Sequence, residues 1–261
     1  MSSTIADAIM RRQSVRNYVD SPIKEEHMLE LERAVKGAKA LYPDISVDIK
    51  IIKDGKKLHG KGFIGGYGAV NAPHYLVVTS ETKNGYHENV GFTLEQIVLK
   101  LTTMGIGTCW LGRLGKKEIE QICEIKPEHQ GVISVAFGYP NNKTDLEPKR
   151  LDDRNRKNIS GILFGDYSSE IQDVFHYVMA APSGINAQKT RYYVYNDIVH
   201  IYTDKGLIKS MENMYLLDAG IAMCHLCLIC AEKEHKISVQ KEEQPTEIKG
   251  KKYVTSIKFI S

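Results

Sequence analysis

Helix-like and strand-like patterning alternate along the whole chain. Apolar positions in residues 5–12 recur at helical spacing, and a second helix is expected over residues 24–39, with Ser21 as its cap, Pro22 in its first turn and Glu25 and Glu26 at its positive end. Residues 47–52 alternate with period two and lead into a glycine-rich stretch from Gly60 to Gly68. The apolar run 72–78 reads as a buried strand, and a long helix over residues 89–104 stops at Gly105. A short helix near 116–123 and a strand over 131–138 complete this part.

Residues 139–158 turn polar and basic and read as a linker. Beyond them the order begins again: a helix over 169–180, a Pro-Ser-Gly turn, strands over 190–195 and 198–203, a long apolar helix over 216–233 and a last strand over 253–260. The second half therefore repeats the helix, turn, strand, strand, long helix and strand of the first. The letters do not repeat with the pattern. Where the second half has Ala181-Pro182-Ser183-Gly184-Ile185-Asn186, the first has Ala38-Lys39-Ala40-Leu41-Tyr42-Pro43. Nothing before Ile171 reproduces Arg12-Gln13-Ser14-Val15-Arg16, so each half lacks what the other keeps.

Composition narrows the class without naming a chemistry. The 261 residues are 42% hydrophobic and 26% charged with a net charge of +3, which favours neither nucleic acid nor an anionic membrane as a partner. The N-terminal residues lack the apolar core of a secretory signal, and the most apolar stretch, 216–231, is interrupted by Asp218 and His225. A cytoplasmic location is expected. Cys224, Cys227 and Cys230 fall on one helical stripe and read as core packing rather than a metal site.

Gly60-Lys61-Gly62-Phe63-Ile64-Gly65 has the letters of a dinucleotide fingerprint, but Pro73 and a strand-like run follow it where a helix is required. Gly112-Arg113-Leu114-Gly115-Lys116-Lys117 lacks the spacing and hydroxyl of a P-loop. No activated nucleophile stands out, so an enzyme built on this chain would draw its chemistry from a cofactor. Arg11, Arg12 and Arg16 with Ser14, together with Arg154-Asn155-Arg156-Lys157, are either solvated charges or the arginine forks and hydroxyl that hold a phosphate.

Four segments resemble the nitroreductase family of flavin enzymes. Arg11-Arg12-Gln13-Ser14-Val15-Arg16-Asn17-Tyr18 is similar to the family's opening basic segment with one shift in spacing, and Gly105-Ile106-Gly107-Thr108-Cys109-Trp110-Leu111-Gly112 to its glycine-tryptophan segment. Ala181-Pro182-Ser183-Gly184-Ile185-Asn186-Ala187-Gln188 is similar to its Pro-Ser-Gly turn, and Asp218-Ala219-Gly220-Ile221-Ala222 to the start of its central helix. Here the turn follows the tryptophan segment, an order that resembles the putative TM nitroreductase branch.

The resemblance implies an α+β flavin fold, a mostly antiparallel sheet flanked by helices, arranged as an intrachain pseudo-dimer. Residues 1–165 would form one half and residues 166–261 a degenerate half supplying the turn. It implies that Arg12 and Ser14, with Arg154 and Arg156, hold the phosphate of FMN, that Gln13 is a further cofactor contact, and that Arg16 tunes the pyrimidine end. The amides of Leu111 and Gly112, beside Trp110, would approach flavin N5. Pro182, Ser183 and Asn186 would reach the ring, as would Gly65, Gly66 and Tyr67. Implied with it are NADH or NADPH as reductant and a small-molecule acceptor such as a nitroaromatic or quinone, with a monomer sufficing if the dimer is fused. A flavin-binding sensor or store without turnover is the alternative.

Overall fold

The computed structural model describes residues 4–60 and 70–260, and the expected contacts Gly65, Gly66 and Tyr67 lie outside the described residues. The chain divides into two compact units. One comprises residues 1–86 and 93–148, the other 87–92 and 149–261. The division falls at 148/149 rather than at 165, so Arg154 and Arg156 belong with the second unit.

In the first unit, helix α1 (Ile5–Arg11) begins with a capping box, in which Asp7 N–H donates to Thr4 Oγ1 at 3.1 Å and Thr4 N–H to Asp7 Oδ2 at 3.4 Å. Helix α2 (Glu25–Gly37) starts later than expected. Lys24, not Ser21, occupies its N-cap and makes no side-chain cap bond, leaving Glu25 and Glu26 to complement its positive end. Strands β1 (Val47–Ile52) and β2 (His74–Glu81) form an antiparallel pair. Helix α3 (Tyr86–Thr103) ends at Met104, where Gly105 takes φ +73° and turns the chain into β3 (Gly107–Trp110). Helix α4 (Lys116–Glu120) and strand β4 (His129–Gly138) follow.

The sheet order is β1-β2-β4-β3. Seven of the eight residues of β2 are buried, as a central strand covered on both faces requires. On one face Tyr75, Val77, Cys109 and Ala136 pack with Leu58, Val70, Leu114 and Ile119. The Tyr75 hydroxyl is satisfied there, donating to Val70 O at 2.6 Å and accepting from Ala72 N–H at 3.0 Å.

The second unit opens with short 3-10 turns and strand β5 (Leu163–Gly165), which the sequence pattern does not signal, and helix α5 (Ser169–Val178). Strands β6 (Thr190–Tyr195) and β7 (Ile198–Asp204) precede helix α6 (Lys209–Glu232) and strands β8 (Lys236–Gln240) and β9 (Lys251–Ile260). The order is β5-β6-β7-β9-β8, antiparallel except for β5 with β6. Without β5, this is the order of the first sheet, β1-β2-β4-β3. The repeated pattern in the sequence thus corresponds to a repeated strand order.

α6 is long and apolar enough to cross a membrane by length and composition, yet 78% of its most apolar stretch is buried within the protein. Apolar residues on all sides are what a core helix needs. Cys224 and Cys230 are among its buried residues, and burial pushes the Cys227 and Cys230 thiols up to about 12.

The first turns of α3 meet α6 backbone to backbone. A Cβ on Gly91 would lie 2.2 Å from Leu217 O, and one on Gly220 would lie 2.0 Å from Glu88 O. A methyl group at either place must push the helices apart. Gly220→Ala is expected to cost about 2–3 kcal/mol and lower the thermal midpoint by roughly 4–10 °C, against little change for an exposed control such as Gly37→Ala. Thermal melts of both variants check this.

Candidate functional site

The end of α1 supplies the first group of expected residues. Arg12 N–H bonds to Ala8 O at 2.8 Å, after which Arg12 itself leaves the helix at φ −58°, ψ 121°. The extended chain then pairs with β3: Ser14 bridges Thr108 in parallel, and Val15 N–H donates to Thr108 O at 2.9 Å. This approach depends on Gly107, where a Cβ would stand 2.7 Å from Val15 Cγ2. Tyr18 closes the segment, its hydroxyl donating to Val15 O at 2.6 Å.

Arg12 is 3% exposed. Burial lowers the pKa of its guanidinium, opposed by the nearby Glu95 carboxylate. Among the described residues, its buried Nε and Nη1 have no hydrogen-bond partner. Leaving buried charged donors unmet costs several kcal/mol, so this arrangement fits a site whose anionic partner is a ligand. Ser14 and Arg16 are exposed beside it, with Arg16 Nη1 donating to Ser14 O at 3.4 Å. Gln13 donates instead to Glu147 O at 2.9 Å, which fixes the segment to the chain beyond β4.

The tryptophan segment continues from β3. Leu111 N–H donates to Ser134 O at 2.8 Å, extending the β3–β4 ladder, so this amide is already committed. The Trp110 indole N–H donates to Glu95 Oε2 at 3.2 Å. Glu95, which the sequence reading did not single out, thus joins Trp110 to the electrostatic surroundings of Arg12. Gly112 is buried directly after this pair.

In the second unit the Pro-Ser-Gly turn is held in strain. Ile185 (φ 49°, ψ 22°), Asn186 (φ 54°) and Gln188 (φ 48°) all have left-handed backbones, the first being a β-branched residue that rarely adopts one. Such positions cost roughly 1–3 kcal/mol each and persist only where surrounding contacts over-determine them. Those contacts are present. Gly184 N–H donates to Asp218 Oδ1 and Oδ2 at 3.0 and 3.1 Å, and Gln188 N–H to Ser183 Oγ at 3.1 Å. The Gln188 carbonyl accepts from Lys157 Nζ at 3.2 Å and Arg191 Nη1 at 2.8 Å.

Arg156, expected to join Arg12 and Ser14 on a phosphate, instead spends its fork on this turn. Its Nη1 donates to Asn186 Oδ1 and its Nη2 to Ala180 O at 3.3 Å. Asn186 Nδ2 donates in turn to Asn155 O at 3.2 Å, while Arg154 ends the adjacent 3-10 turn half-buried. Pro182 is buried, and Ser183 lines a cavity of about 40 Å³ with Lys157, Gln188, Thr190 and Asp218. That volume admits one or two waters, not a ring system. Ile185 is 57% exposed.

Asp218 is the functional candidate that residue-by-residue reading missed, although it stood in a quoted segment. It sits on α6, 4% exposed, and burial pushes its carboxyl up to about 7 despite the Gly184 bond and the Arg156 charge. A pKa raised above the unfolded value means that the folded state holds this proton more tightly. Its contribution to stability is therefore complete below about pH 4 and is lost as pH rises through about 7. Relative to Asp218→Asn, the wild type should gain a few kcal/mol as pH falls from 8.5 to 5, measured by urea unfolding of both proteins across that range. A constant difference would contradict the assignment.

The family profile described as Putative TM nitroreductase matches residues 4–230. A putative nitroreductase from Thermotoga maritima MSB8 is similar in structure with TM-score 0.65 and 21% identity, covering 100% of this chain and 94% of that one. A putative NADH dehydrogenase/NAD(P)H nitroreductase from Bacteroides thetaiotaomicron VPI-5482 gives TM-score 0.50 at 19% identity, covering 62% of this chain and 98% of that one. An FMN-dependent nitroreductase from Clostridium difficile R20291 gives 0.49 at 17% identity, covering 62% and 99%. None of the curated proteins compared matches the chain. The full-length structural likeness establishes the nitroreductase fold, and the match over residues 4–230 places this chain in the Putative TM nitroreductase family.

Proposed function

We propose that this chain is an FMN-dependent oxidoreductase that takes reducing equivalents from NADH or NADPH and passes them to a small electron-poor acceptor, a nitroaromatic or a quinone. The observation that carries this reading is the buried Arg12 guanidinium with Nε and Nη1 unmet, two residues before the exposed Ser14, within a chain of the nitroreductase family. A guanidinium and a hydroxyl placed together suit the dianionic phosphate of FMN. Relatives whose names include FMN-dependent nitroreductase and NADH dehydrogenase/NAD(P)H nitroreductase support the same choice of cofactor and reductant.

FMN, when bound, would supply the two-electron hydride chemistry, and no side-chain acid or base is required for it. The residues of the chain then bind and orient. Arg12 and Ser14 hold the phosphate, Arg16 places positive charge near the pyrimidine end, and Gly112 offers its backbone to the ring. Pro182, Ser183 and Asn186, on the turn that Asp218 and Arg156 hold, are the further residues assigned to the ring.

The decisive measurement is the visible spectrum of the purified protein, with and without added FMN, and the FMN-to-chain ratio. A colourless protein that gains no bound-flavin spectrum would sink the proposal. Arg12→Ala and Asn186→Ala should each weaken FMN binding by about tenfold or more, the loss of one charge-assisted or buried hydrogen-bond contact. Mixing the two variants should not restore binding, whereas recovery would indicate a site assembled between chains. Anaerobic NADH and NADPH should bleach the bound flavin. A flavin that stays oxidised with both would instead mark a store or sensor.

A further inference from the structure

We propose that Asp218 is a positioning residue that latches the Ser183–Gln188 turn through the Gly184 amide, and that its ionisation couples the turn, and with it ligand affinity, to pH. This rests on the flavin reading for the identity of the ligand, but the latch itself is a property of the second unit alone.

The geometry isolates one acceptor for one amide. Both oxygens of Asp218 lie within 3.1 Å of Gly184 N, so the N–H is shared between them. Gly184 is the residue immediately before the left-handed Ile185 and Asn186. Its own Cβ position is closed by Met214, whose Sδ would be 2.2 Å away, so the chain passes close over α6 at this point. Fixing the Gly184 amide therefore fixes where the strained residues begin. A carboxylate accepts an amide hydrogen bond roughly twice as strongly as a neutral group does. Loss of the charge loosens the anchor against which Ile185 and Asn186 are held.

The surroundings leave Asp218 able to change charge near neutral pH. Arg156, from the loop before α5, favours the ionised form, and burial opposes it, placing the carboxyl at about 7. Lys157 and Tyr192 line the adjoining cavity, and α5 contributes Val178 and Met179 to it. From α3, the Glu88 backbone packs at Gly220, and Glu88 is itself buried with its carboxyl pushed up by burial. His225, two turns further along α6, is engaged with the Tyr177 carbonyl at 3.2 Å. The same charge that weakens the fold above neutral pH thus firms the turn, a trade of global stability for local order.

Two measurements test the latch. In flavin-free, 15N-labelled full chain, the Gly184 amide proton should move downfield with a midpoint near neutral pH, and this titration should vanish in Asp218→Asn. FMN affinity of the wild type should fall severalfold more than that of Asp218→Asn between pH 8.5 and 5.5. Comparing the two cancels the titration of the FMN phosphate itself, which has a second pKa of about 6. Asp218→Ala should bind FMN at least tenfold more weakly at pH 8. The proposal is overturned if the Gly184 amide does not titrate between pH 5 and 8.5, or if wild type and Asp218→Asn share one pH profile for FMN. Should the wild type bind no FMN at all, the flavin reading fails while the Gly184 titration still decides the latch.

Discussion

The second unit depends on how deeply α6 can be buried, and that depth is set by two missing side chains. Gly91 and Gly220 let the first turns of α3 and the middle of α6 approach at backbone distance. Asp218 lies two residues before Gly220, so the glycine contact and the carboxylate belong to the same turn of helix. A helix held there by packing can afford one buried carboxyl, because its position is determined by many apolar neighbours rather than by the charge. The carboxyl in turn fixes Gly184. Packing, one charge and one backbone amide therefore act in series, and the left-handed conformation of Ile185 stands at the end of that series.

The first unit solves a similar problem with different means. Gly107 admits the extended chain after α1 to the edge of β3, and the Val15 amide completes the pairing. Arg12 is thereby placed at the junction of α1 and the sheet, buried with unmet donors, the Glu95 carboxylate opposing the effect of burial without offsetting it. Hydrogen-bonding capacity left unmet inside a protein is costly, and it is why the phosphate of the proposed cofactor is assigned to this junction. In both units the candidate residues are those for which local physics is unfavourable and long-range packing overrules it.

Much of the architecture was legible in the patterning. Strands expected over residues 47–52 and 190–195 are both present, and the repeated order of elements corresponds to the repeated strand order of the two sheets. Strand β5 was not legible, because three residues carry no periodicity and its pairing with β6 is made only in the tertiary structure. α6 begins at Lys209, earlier than its apolar run, since its first turn is polar and held by pairs such as Lys252 with Glu212. The start of α2 was misplaced for a related reason. Ser21 and Pro22 carry the letters of a helix start, but the helix does not begin until Glu25, after Lys24.

The sequence by itself determined the family, the repeated halves and the residue types able to hold a phosphate and a flat ring, because these rest on local pattern and on short motifs. Only the tertiary structure decided which of those groups remain available. Leu111 N–H is consumed by Ser134, the Trp110 indole by Glu95 and the Arg156 fork by Asn186 and Ala180, while Arg12 keeps donors unmet. It also brought Asp218 from the middle of an apolar helix to the Gly184 amide, 34 residues away in sequence. The physical reason is that a motif specifies donors and acceptors, whereas burial and three-dimensional proximity determine which of them the protein satisfies internally.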